Sequence, residues 1–242
     1  MGDDGVAAVG GYGKEEGVLV PKKRFASLAE MQGFVDALRG LLAPIACFVM
    51  TDPGKESDYW RPIGLVISRA DTSTESHSVL YIEEPPVDDE HYLTIDRGTE
   101  HLGLVVWVTW PQQGHRLPDL EVDDVFFYVL ALISFVMAPG DMLVRVGGME
   151  KGVWEAGQVH AFLGDVAFRL ASLVGPVTVL DSGSPAIRIV KRFGARTCVS
   201  ICEWKDGDLV VSRYGQSVIL PACSPSQAAA FMAGSVEWPS AR

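Results

Sequence analysis

Apolar residues between Ser27 and Leu42 recur three and four positions apart: Leu28, Met31, Phe34, Val35, Leu38, Leu41 and Leu42. That spacing predicts an amphipathic helix with one buried face. Ser27 is placed to cap it, Glu30 completes a capping-box pattern, and Pro44 ends it. Short β-like runs follow at Ile45–Met50, Ile63–Ile67, Val79–Ile82, Leu93–Ile95 and Leu102–Trp110, separated by Pro/Gly- or Ser/Thr-rich turns. They predict a meander of about five strands, with Leu104–Val108, apolar on both faces, at its centre. The pattern then changes. From Asp123, Phe126, Phe127, Val129, Leu130, Leu132, Ile133, Val136 and Met137 leave almost no polar side, which predicts a helix covered on several sides and lying between two halves. Asp123 or Asp124 is its expected N-cap and Pro139-Gly140 its end. Met142–Val146 reads as one further strand and Gly147-Gly148 as a hinge.

The same order returns beyond the hinge. Val159, Phe162, Leu163, Val166, Leu170, Leu173 and Val174 mark a helix over about Glu155–Val174. Strands are expected at Val177–Leu180, Ile187–Val190, Cys198–Cys202, Leu209–Val211 and Val218–Leu220, with Asp206-Gly207 as a hairpin turn. After Leu220-Pro221, Ser224 or Ser226 is placed to cap a short helix carrying Ala228–Met232. Ala43-Pro44-Ile45 and Asp52-Pro53-Gly54 in one half correspond to Gly175-Pro176-Val177 and Asp181-Ser182-Gly183 in the other. Leu93-Thr94-Ile95-Asp96-Arg97-Gly98 is echoed by Leu209-Val210-Val211-Ser212-Arg213-Tyr214-Gly215. The expected fold is therefore α+β: two divergent tandem copies of a helix–antiparallel meander–helix unit related by a pseudo-two-fold. Residues 1–22 read as a flexible Gly-rich tail, 23–146 as the first unit and 147–242 as the second.

Composition narrows the partners. The 242 residues are 48% hydrophobic, enough to fill real cores, and carry a net charge of −11. An acidic surface repels nucleic-acid phosphates and anionic membranes, so neither is an expected partner; a protein with a basic contact surface is. Pro21-Lys22-Lys23-Arg24 is too short for a nucleic-acid patch and reads as a solvated lead-in. The longest apolar run, Val125–Ala138, is interrupted by Ser134 and falls short of the roughly 20 residues that span a bilayer. Met1-Gly2-Asp3-Asp4 has neither a basic start nor an apolar signal core, and the four cysteines include no Cys-x-x-Cys pair. A soluble, unprocessed cytoplasmic chain is expected.

The sharpest surface feature is the acidic run Glu83-Glu84-Pro85-Pro86-Val87-Asp88-Asp89-Glu90. Its prolines stiffen the loop, so Glu83, Glu84, Asp88, Asp89 and Glu90 can be presented together to a basic surface at small entropic cost. His91, His101 and His115 near these carboxylates lack the paired helical spacing of a metal site. Cys198 and Cys202, four apart, share a face of a strand and, with Cys223, supply no fourth zinc ligand of clear spacing. Asp181-Ser182-Gly183-Ser184 lacks the pattern of a nucleophile elbow. Tyr59-Trp60 and the pair Trp107/Trp110 read as packing aromatics. No catalytic, cofactor-binding or metal-binding residue is predicted, and no cofactor.

The helix–meander–helix unit, Leu220-Pro221 before the last helix and the terminal Phe231…Trp238-Pro239 resemble small α+β immunity proteins of bacterial polymorphic toxins. The resemblance implies a non-catalytic module that docks on a partner protein and blocks or escorts it; it transfers no individual binding residue. Secretion chaperones share a similar order of helices and strands. The alternatives are therefore a secretion-type chaperone, a viral or assembly component, or a small enzyme. An enzyme would place its site in the groove between the copies, through a set such as His115, Asp96 and Cys223.

Overall fold

The structure, a computed structural model, describes residues 21–44, 48–51, 64–69, 76–83, 91–101, 115–137, 156–180 and 185–237. Helix α1 (Leu28–Leu42) starts where the sequence places it. Ser27 Oγ accepts from the Glu30 amide at 3.2 Å. Glu30 in turn accepts from the Ala26 amide at 2.7 Å, one residue before the position a capping box uses. Met31, Val35, Leu38 and Leu42 form its buried face.

That face lies on an antiparallel sheet whose strands follow in chain order: β1 (Phe48–Thr51), β2 (Gly64–Arg69), β3 (Ser76–Glu83), β4 (Thr94–His101) and β5 (His115–Arg116). Leu65, Ile67, Leu80, Ile82, Leu93, Ile95 and Leu117 are fully buried with α1 in one core. The two-residue period of the strands puts these residues on the covered side. The fifth strand is the short His115–Arg116, paired with Thr94 and Ile95. The expected strands at Leu102–Trp110 and Met142–Val146, the central position of Leu104–Val108, the Pro139-Gly140 stop and the Gly147-Gly148 hinge lie outside the described residues.

The segment expected as a solvated lead-in is pinned instead. Lys22 bridges Pro118, Phe25 bridges His91, and the Lys23 amide donates to the Leu117 carbonyl at 2.9 Å. Lys23 reaches Asp119 at 3.6 Å and sits 5.5 Å from the Phe34 ring centroid, which turns a nominal surface charge into packing.

Helix α2 (Val122–Leu132) continues into a π-helical turn, Ile133–Met137. Its N-cap is Glu121, with no side-chain cap bond; Asp123 and Asp124 fall in the first turn, where their charge still complements the helix dipole. Every residue from Val125 to Phe135 is buried. Ser134, the interruption in the apolar run, donates to the Leu130 carbonyl at 2.8 Å and so enters the core satisfied.

The second half repeats the element order. Helix α3 (Ala156–Val174) precedes β6 (Val177–Leu180), β7 (Ala186–Phe193), β8 (Arg196–Lys205), β9 (Asp208–Arg213) and β10 (Gln216–Ile219), again a sequential antiparallel meander, and α4 (Pro225–Ser235) closes it. Asp206 and Gly207 (φ 53° and 84°) turn β8 into β9, and Tyr214 and Gly215 (φ 49° and 82°) turn β9 into β10. These are the left-handed two-residue loops that match strand twist. Thr94–Gly98 and Leu209–Arg213 fall on the fourth strand of their respective sheets, while the Tyr214-Gly215 end of the second segment forms the turn into β10. Ser224 caps α4 with a full capping box to Gln227.

The halves meet where α2 packs on α4. Ser226 Oγ donates to Asp124 at 2.7 Å, and Phe135 and Phe231 meet edge-to-face with centroids 6.1 Å apart. Sheets, helices and junction share one continuous core.

Candidate functional site

Strand β7 alternates Ile187, Ile189, Lys191 toward the covered side, and β9 alternates Leu209, Val211, Arg213. The period of two that buries the aliphatic pairs also carries one cation per strand inward. Each finds an oxygen at the end of α4. Lys191 Nζ lies 3.1 Å from Glu237 Oε2, and Arg213 Nη1 donates to the Ser235 carbonyl at 2.6 Å. Ser235 Oγ lies 2.8 Å from Ser200 Oγ, and the Cys198 thiol faces the same Ser235 carbonyl at 3.9 Å.

Glu237 is the centre of this cluster and joins the two halves. Its side chain is 13% exposed, with His115 Nδ1 of β5 at 3.9 Å on one side and Lys191 of β7 on the other. The buried Tyr128 hydroxyl of α2 hydrogen-bonds to it. Burial alone would raise the carboxyl pKa. The charges of Lys191 and His115, with hydrogen bonds from Lys191 and Tyr128, outweigh that and hold it below the ordinary glutamate value. Tyr128 is displaced the other way, well above the ordinary phenol, by burial first and then by the Glu237 charge.

The chemistry of this cluster is that of a clamp. Glu237 is ionised and engaged on both sides, so its oxygens are occupied. The nearest thiol, Cys198, is buried and shifted upward by that burial despite Arg213, Tyr214 and Lys191 nearby. Cys202 is likewise raised by burial, and Cys223 is pushed up to about 12. Thiols so placed resist forming the thiolate that nucleophilic or metal chemistry needs.

The opposite face of the second sheet has a different character. Helices α3 and α4 cover the inner side, and among the described residues no helix packs on the outer side. Arg188, Val190 and Arg192 project outward from β7, with Val190 45% exposed. Ile201 and Val199 lie opposite Arg188 and Val190 on β8, and half-buried Val210 and Ile219 extend the apolar area across β9 and β10. Neither arginine is ion-paired with a described residue. An apolar strip with Arg188 and Arg192 along β7 and half-buried Glu203 at its β8 end is thus open on a chain of net charge −11.

The sequence-selected residues are scattered across the fold. Glu83 ends β3 opposite Thr94; Glu84, Asp88, Asp89 and Glu90 lie outside the described residues, as do Asp181–Ser184, Tyr59-Trp60 and Trp107/Trp110. His101 pairs with Ser76 at the far end of β4, six residues from the Ile95 that faces His115, a separation of roughly 20 Å along the strand. Cys198 and Cys202 share the buried face of β8, as their spacing required, and Cys223 lies close enough to raise the Cys202 thiol. His115 and Cys223 sit at opposite ends of α4, whose 11 residues span roughly 16 Å, so the set His115, Asp96 and Cys223 is not brought together. Among the described residues no group of three or more His, Cys, Asp or Glu is placed to hold a metal ion, and no helix is long and apolar enough to cross a membrane. Lys191, Arg213 and Glu237 escaped the sequence reading. The available signal was a cation at the next inward position of each apolar alternation, Ile187-x-Ile189-x-Lys191 and Leu209-x-Val211-x-Arg213.

Comparison with protein-family models, curated proteins and solved structures finds no match for this chain.

Proposed function

We propose that the protein is a non-catalytic protein-binding module, of the immunity or secretion-chaperone kind, that works by docking on a partner protein in the cytoplasm. The observation that carries this reading is the open outer face of the second sheet. Arg188 and Arg192 bracket Val190, with Val199 and Ile201 alongside, so the face offers apolar contact and charge together. An acidic, apolar segment of the partner fits it. The run Glu83–Glu90 is the proposed second contact, meeting a basic surface of the same partner and accounting for part of the acidic balance. The enzymatic alternative lacks comparable support, because Glu237 at the junction of the halves is held by Lys191, His115 and Tyr128.

The architecture belongs to the same proposal. Two halves with one element order, each a helix, a sequential five-stranded meander and a helix, are read as divergent copies of one unit facing each other across α2 and α4 about a pseudo-two-fold. Experimental coordinates in which residues 27–138 and 155–234 fail to superpose in strand order would reject that relationship.

The functional test begins with affinity capture from the native host and identification of what is bound. Association of the purified partner is then timed at two salt concentrations, for the wild type and for a variant with Glu83, Glu84, Asp88, Asp89 and Glu90 changed to Ser or Asn. Slower association and a weaker salt dependence are expected, because exposed charges steer encounter while adding little to stability. Rates equal to wild type would remove the acidic run from the interface.

A further inference from the structure

Phe168 is the most exposed large hydrophobic side chain among the described residues, 84% open to solvent in the middle of α3. It does not strain toward the core. The buried face of α3 is Val159, Leu163, Val166 and Leu170, and Phe168 points the opposite way, on the face that also carries Ala161, Gly164 and Ala171. A Cβ added to Gly164 would meet nothing within 4 Å, so the glycine is not there to admit a neighbour from its own chain. Glycine is the poorest helix former after proline, and α3 keeps one four residues from an exposed phenylalanine.

The flanking charges point to the occupant. Asp165 and Arg169 are exposed on one side of this face, four residues apart, a spacing at which helical carboxylates and cations commonly pair. They make no ion pair with each other or with any other described residue. Their order is self-complementary: when two copies of α3 lie antiparallel about a two-fold near residue 167, Asp165 of each copy faces Arg169 of the other. The same operation sets the two Phe168 rings side by side, each over the open space at Gly164 of the second copy. One surface thereby satisfies both its apolar and its charged groups, as a two-fold interface requires.

We propose that α3 is a self-association surface and that its occupant is α3 of a second copy of this chain, in an antiparallel two-fold pair centred on Phe168. This inference is independent of the partner-binding reading. A single helix pair is smaller than the about 1,200–2,000 Å² of a standard stable interface, so the expected dimer is a reversible one.

Sedimentation velocity of the full chain across a concentration series tests it. A monomer–dimer equilibrium is expected, weakened at least ten-fold by Phe168→Glu, which touches no core contact. Asp165→Arg alone and Arg169→Asp alone should each weaken it similarly, because like charges then face each other. The double variant Asp165→Arg/Arg169→Asp should restore it, since the swap preserves complementarity. A monomer at every concentration overturns the proposal, as does a dimer indifferent to Phe168→Glu or a double variant no better than the singles. Retention of a different captured protein through Phe168 by a strictly monomeric chain would also overturn it, by assigning the face to another occupant.

Discussion

Gly234 of α4 lies directly against the backbone of Tyr128 in α2. A Cβ built on Gly234 would come within 3.1 Å of the Tyr128 carbonyl carbon and 3.2 Å of Ala131 Cβ, with the Tyr128 carbonyl oxygen closer still. The obstacle is helix backbone, which cannot swing away as a side chain can. The junction between the halves depends on this contact.

Gly234→Ala should therefore destabilise the protein by about 1–3 kcal/mol, the range for overpacking a well-filled site. Gly33→Ala, on the exposed side of α1 with nothing within 4 Å of the added Cβ, should instead stabilise by about 0.4–1 kcal/mol. Chemical denaturation of both variants measures the contrast. Equal effects would mean that α2 and α4 are not packed this closely.

Phe127→Asp or Leu130→Asp should prevent folding or cause aggregation. Both side chains are buried, and a carboxylate left unpaired there costs several kcal/mol against a total stability of roughly 5–15 kcal/mol. Thermal unfolding of either variant at the wild-type temperature would show α2 to be an exposed surface.

The Glu237 clamp has a pH signature. Its pKa is lowered by folding, so its contribution is complete above the unfolded glutamate value of about 4.3 and fades as pH falls through the lower folded value. Glu237→Gln should lower stability at pH 7 by about 1–2 kcal/mol, discounted for the partly exposed Lys191 and His115. The gap between variant and wild type should narrow with acidification below pH 4.3. Denaturation midpoints from pH 7 to 3 report it; a constant gap would show that the carboxylate charge is not the contributing element.

Local pattern made the strands of the second half legible, and the limits of that pattern explain what was missed. Val177–Leu180 is uniformly β-branched or aliphatic, so its bounds match the sequence reading. Strand β8 runs beyond Cys198–Cys202 to Arg196 and Lys205 because a ladder is held by backbone groups that polar residues also supply. The α2 cap is Glu121, and Asp124, expected as a cap, bonds Ser226, 102 residues away. Glu237 draws its role from His115, Tyr128 and Lys191, which no local pattern places beside it. The buried helix was readable from its missing polar side; the helix it would pack on was not.

Whether the outer face of the second sheet is the docking surface is settled most directly by affinity. Calorimetry compares the partner identified by capture binding to the wild-type chain and to Arg188→Glu/Arg192→Glu. Both side chains are exposed, so thermal unfolding should be unchanged. The expected result is at least a ten-fold loss of affinity, equivalent to about 1.4 kcal/mol, with folding intact. Equal affinity of the two proteins would contradict the account and move the partner to another face.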